Sequence, residues 1–170
     1  MAVDVIVRGS MWLALGAFVA AHWGFRRAGS AAHSSWPLAA YWIGAALAFV
    51  HALAAFHWHY DWSHTEAVVA TAEQTAEVFG LNWGGGVWVN YAFLVVWLVD
   101  VGRRTASHRR DVAESTGTWL LRGFYLIIIA NGAITFVAWP MNLVGAGMVS
   151  VLVWCWRPRR PRLGAEASHG

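Results

Sequence analysis

Five apolar stretches, at residues 9–25, 36–58, 84–101, 119–139 and 141–156, dominate this sequence and leave it few ways to fold. Most are close to the roughly 20 residues that a helix needs to cross about 30 Å of hydrocarbon. The composition agrees. Hydrophobic residues make up 58% of the chain and charged ones 12%, where a soluble domain carries about 25% charged residues. A soluble core of this size could not hide so much apolar side chain. The same proportions exclude a disordered chain, a collagen, a coiled coil and a disulfide scaffold. The expectation is an all-α integral membrane protein, one domain over residues 1–170 built as a bundle of five transmembrane helices.

The fifth stretch is the shortest, and Pro140 separates it from the fourth. The two together are too long for one span, so they read as a helical hairpin turning at Trp139-Pro140-Met141-Asn142; a re-entrant fifth segment is the alternative. Arginine placement then sets sidedness. Arg26 and Arg27 follow the first stretch, Arg103, Arg104, Arg109 and Arg110 the third, and Arg157, Arg159, Arg160 and Arg162 the fifth. Five alternating spans put all three clusters on one side, the cytoplasm, with an Arg-rich tail, 157–170, inside and the N-terminus outside, where only Arg8 dissents. Residues 59–83 and the turn at Pro140 hold no Lys or Arg. Tryptophans gather at both boundaries, where amphipathic indoles prefer to sit. Arg122, one turn inside the fourth span, can snorkel to the same face as the clusters. Asp100, with Arg103 and Arg104 three and four residues on, reads as a structural ion pair. A signal peptide cleaved near Val19-Ala20-Ala21 is a competing reading of the first span, but it would break the charge alternation.

All 12 basic residues are Arg. Without lysine there is no Schiff-base site and no phosphate-loop lysine. The single Cys155 excludes an internal disulfide and a cysteine zinc site. A formal charge of +3 could suggest nucleic acid, yet the arginines flank apolar spans, so the bilayer is the expected partner and nucleic acid is not.

The segment between the second and third spans is the most chemically loaded. His51, His57, His59 and His64 fall close together at one end of one span. Ser63 followed by Glu66 fits a capping box and Gly80 a helix stop, which predicts an external, interfacial amphipathic helix over residues 64–79. On it Glu66, Glu73 and Glu77 lie within about 40° of one another. With no cationic side chain in the segment, their mutual repulsion must be relieved by water, protonation or a bound cation. His57, His59, Asp61, His64, Glu66 and Glu73 are candidate ligands for a transition metal, copper, zinc or iron. Their spacing matches no established metal signature, and an interfacial belt of His and aromatic residues explains it equally well.

Depth counting adds a polar layer beneath that segment. His51, Asn90 and Asn131 each lie about 9 Å inside the same boundary, with Tyr91 and Thr135 near that level. Polar side chains at such depth face the bundle and serve either packing or function. They are candidates for the floor of an external pocket that would take a metal, a proton, a quinone head or a haem. Haem b is the lesser alternative, because His22 and His51 sit at opposite depths and cannot share one.

Three functions follow as expectations. The first is a small multi-pass inner-membrane protein of a bacterium, with an external-side His/carboxylate metal or cofactor pocket and a redox role. The second is a non-catalytic structural or assembly subunit, packed against other membrane subunits or copies of itself. The third, a small transporter or channel, lacks the internal repeat it would need.

Overall fold

The computed structural model describes residues 2–28, 35–106 and 115–158. Arg109, Arg110 and the tail arginines Arg159, Arg160 and Arg162 lie outside these. The described residues form an all-helical chain: α1 (Ala2–Ala28), α2 (Trp36–His59), α3 (His64–Phe79), α4 (Gly86–Ala106), α5 (Thr116–Ala130) and α6 (Met141–Trp156). A five-residue π-helix, Asn131–Thr135, prolongs α5. Four of these helices are long and apolar enough to cross a membrane: Val5–Ala28, Trp36–His59, Gly86–Ala106 and Thr116–Thr135. The 16-residue α6 reaches only about 24 Å.

Local chemistry explains most of the boundaries. Pro37 sits at the first helical positions of α2, where its missing N–H costs nothing. Ser63 caps α3, its Oγ accepting the Glu66 N–H at 3.2 Å. The capping box is only half formed, because the Ser63 N–H donates to the Tyr60 carbonyl at 2.6 Å instead. Gly80 ends α3 at φ 69°, the left-handed region that suits glycine, and its N–H donates to the Ala76 carbonyl. The fourth stretch departs from the expected 119–139. Helix geometry begins at Thr116, widens into the π-turn at Asn131 and stops at Thr135.

Close approach at small residues sets the packing. A Cβ on Gly44 would lie 2.8 Å from the Trp97 ring and 3.1 Å from the Ala14 carbonyl oxygen. One on Gly145 would run into the backbone carbonyl of Ala133 in the π-turn. One on Gly84 would meet Val68, and one on Gly86 would meet Thr71, so the Gly84-Gly85-Gly86 run lets α3 rest on the start of α4. Where lipid removes the hydrophobic drive between helices, such contacts supply the dispersion energy that replaces it. The core they enclose holds Phe18, Tyr41, Trp97, Val101, Tyr125 and Leu152, contributed by five different helices.

Candidate functional site

Two ends of the bundle carry its chemistry. The first is the arginine end, where α1, α4 and α6 finish and α2 and α5 begin. Tyr41 of α2 is fully buried and its hydroxyl donates to Asp100 Oδ2 of α4 at 2.6 Å. Arg104, one turn further along α4, donates its Nε to the same oxygen at 3.1 Å. The Tyr125 hydroxyl of α5 stands 3.4 Å from that of Tyr41. One carboxylate therefore draws together a phenol and a guanidinium, with a second phenol at their edge. Charge-assisted bonds of this kind are the strong ones, and burial raises the cost of losing either partner.

His22 of α1 is buried beside this network. Its ring lies 4.3 Å from Phe18, 5.2 Å from Trp156, 5.3 Å from Tyr41 and 6.0 Å from Phe25, centroid to centroid. Its Nδ1–H donates to the Phe18 carbonyl at 2.9 Å, which leaves Nε2 as the acceptor of the neutral ring. Trp97 packs edge-on against Phe18, and its buried indole N–H has no acceptor among the described residues.

Arginines also close the helix ends here. Arg26 Nη1 donates to the carbonyls of Cys155 at 3.0 Å and Arg157 at 2.9 Å. Arg122 Nη1 donates to that of Trp156 at 3.3 Å. The last carbonyls of α6 lack intrahelical donors and carry partial negative charge, so guanidinium groups satisfy both needs. Arg26 also stacks on Trp154 and Arg122 on Trp119.

The second is the α3 end, which holds the residues singled out in the sequence. His51 is half-buried, and its Nδ1–H donates to the Val7 carbonyl at 2.7 Å, tying α2 to the start of α1. Asn90 is exposed. Asn131 donates Nδ2–H to Ile127 of its own helix at 3.0 Å. No hydrogen bond among the described residues joins His51, Asn90 and Asn131; each is spent elsewhere or faces outward. Tyr91 instead meets His64 of α3, hydroxyl to Nδ1, at 3.1 Å. His57, with its Nδ1 accepting the Trp62 indole N–H at 3.3 Å, His59, Asp61, His64, Glu66 and Glu73 are all exposed. No three His, Cys, Asp or Glu side chains among the described residues gather into a group that could hold a metal ion. Tyr60, just beyond α2, is half-buried; burial pushes its phenol up, with Tyr91 adding to the effect, so it stays neutral.

A cleft of about 370 Å³ does open at this end. Gln74, Glu77 and Val78 of α3 form one wall, and Thr135, Phe136, Val137 and Ala138 form the other. Of its polar lining, the sequence had drawn attention to Glu77 and Thr135 but not to Gln74. At the arginine end, His22, Tyr41 and Tyr125 were missed as a group. No local signal joins them, because a count from the boundary does not say which face of α1, α2 or α5 turns toward Asp100.

Fold and sites together define an all-helical, multi-pass membrane protein with a buried aromatic and ionic core near one end. No family model, curated protein or solved structure matches the chain.

Proposed function

We propose that the protein is a five-span bacterial inner-membrane protein acting as a non-catalytic structural or assembly subunit of a larger membrane complex. In this reading α6 is the fifth span, the N-terminus lies outside, and the arginine end and C-terminus face the cytoplasm. α3 lies in the outer interface, a placement supported by its buried Ala67 and Thr75 and its exposed Glu66, Glu73 and Glu77. Charge alternation supports the orientation, since Arg26, Arg27, Arg103, Arg104 and Arg157 all fall at one end.

The observation that carries the functional reading is how the buried polar groups are used. Asp100 is spent on Tyr41 and Arg104, His22 and His51 on backbone carbonyls, and Arg26 and Arg122 on the end of α6. These bonds hold helices to one another or to themselves. Meanwhile α4 and α5 turn Trp88, Val95, Val99, Leu120 and Ile127 outward, an apolar surface suited to lipid and to neighbouring subunits alike.

Reporter fusions at Ala106 and Pro158 should both mark the cytoplasm, and one at Thr71 the exterior. Opposite sides for Ala106 and Pro158 would remove the fifth span. For function, the test is elemental analysis together with native mass measurement of protein extracted in mild detergent. A metal-free chain in an assembly larger than the monomer is the expected result. Stoichiometric copper, zinc or iron that disappears in His51→Ala or His59→Ala would overturn the subunit reading in favour of a metal-binding one.

A further inference from the structure

Two helix ends meet at the α3 cleft. Gln74, Glu77 and Val78 belong to the last turns of α3, and Thr135 closes the π-helix that prolongs α5. The last carbonyls of a helix have no intrahelical donors and together carry about half a negative charge. Such ends usually attract Lys, Arg or His, but the last turn of α3 and that of α5 contain none, and neither does the π-helix. The Glu77 carboxylate adds a full negative charge at the same place. It is exposed and forms no ion pair among the described residues, and no Arg or His lines the cleft. The contrast with α6 is direct, because there the chain supplies its own guanidinium groups to the terminal carbonyls.

The second feature of the cleft is its aromatic wall. Phe136 lines it, and Phe79 meets Phe136 edge to face with centroids 5.9 Å apart. Val78 and Val137 add apolar lining to both walls, beside the polar Glu77, Gln74 and Thr135. A bare metal ion demands several oxygen ligands and gains little from phenylalanine. An organic ammonium uses both halves, its charge toward the carboxylate and its alkyl groups against the ring faces. At about 370 Å³ the cleft falls within the size range of small-molecule sites.

We propose that this cleft binds an organic ammonium group, with Glu77 and the two helix ends neutralising its charge and Phe136 packing on its alkyl carbons. A lipid headgroup and a free amine share that chemistry. The site is separate from the Tyr41–Asp100–Arg104 network and does not depend on the subunit reading above.

The test uses the full chain in detergent, titrated with choline chloride and with ethanolamine at constant ionic strength, sodium chloride and calcium chloride serving as competitors. In parallel, the chain is reconstituted in nanodiscs of phosphatidylglycerol alone or with phosphatidylethanolamine, and native mass spectra record which lipid is retained. Binding of choline or ethanolamine that falls about tenfold or more in Glu77→Gln and severalfold in Phe136→Ala is the expected result. Gln74→Lys, which places an ammonium beside Glu77, should block it. All three positions are exposed or partly exposed, so circular dichroism should report unchanged helix content. Retention of phosphatidylethanolamine that is lost in Glu77→Gln, without binding of the free amines, assigns the site to a lipid headgroup. Free-amine binding without lipid retention assigns it to a soluble ligand. Neither amine nor lipid bound, binding indifferent to Glu77→Gln, to Phe136→Ala or to Gln74→Lys, or displacement by calcium as effective as by choline would each overturn the proposal.

Discussion

At the arginine end the C-terminal carbonyls of α6 are closed by Arg26 and Arg122, whereas at the α3 end two helix C-termini face each other around Glu77 without a basic side chain. The first end spends its charges inward. Asp100, Arg104 and Tyr41 join α2 to α4, while the arginines join α1 and α5 to α6. The second end leaves its carboxylates outward and its helix ends without a basic side chain. Lipid makes this division physically sensible. A buried charge without a partner is costly, which is why the buried Asp100 is paired with Arg104. At the rim, water and solutes can share the load, so unpaired charge there is tolerated and free to bind.

Substitutions at the two ends should therefore differ in kind. Asp100→Ala strands Arg104 beside a fully buried phenol and should cost about 3 kcal/mol. That loss would be read as a lower denaturation midpoint, with Asp100→Asn less damaging because it still accepts from Tyr41. Gly145→Val tests the packing that holds α6 to the π-turn. Its Cβ collides with backbone at Ala133, which cannot step aside as a side chain can, and the expected loss is about 2 kcal/mol. Ser63→Ala acts only on the start of α3, removing one cap for about 1 kcal/mol. Hydrogen exchange should rise in the first turn of α3 and remain unchanged in α4. Gln74→Lys should do the reverse and stabilise the end of α3 by about 0.3–0.5 kcal/mol. Equal losses for Asp100→Ala and Ser63→Ala would erase the distinction between the two ends.

What could be read from the sequence was what is local or periodic. The four long apolar helices follow from apolar length, and the start and stop of α3 from Ser63 and Gly80, because capping needs only neighbours in the chain. The i,i+4 pair of Asp100 and Arg104 was legible for the same reason. Tyr41 and Tyr125, 59 and 25 positions from Asp100, were not. Nothing in a periodic pattern says which face of α2 or α5 turns toward α4. His51, Asn90 and Asn131 do share a count from one boundary, but depth alone does not set the angle around each helix axis. His51 turned to Val7 and Asn131 back onto its own helix. The π-turn at Asn131–Thr135 was equally hidden, since it arises where Gly145 admits the Ala133 carbonyl.

The most direct measurement is a set of thermal melts of wild type, Asp100→Asn and Glu77→Gln, each with and without saturating choline. Asp100→Asn should melt earlier than wild type yet keep the full choline-induced rise. Glu77→Gln should melt with wild type in the absence of choline and gain nothing from it. A choline-induced rise that survives in Glu77→Gln, or one that vanishes in a folded Asp100→Asn, would show that the two ends are not divided between holding and binding.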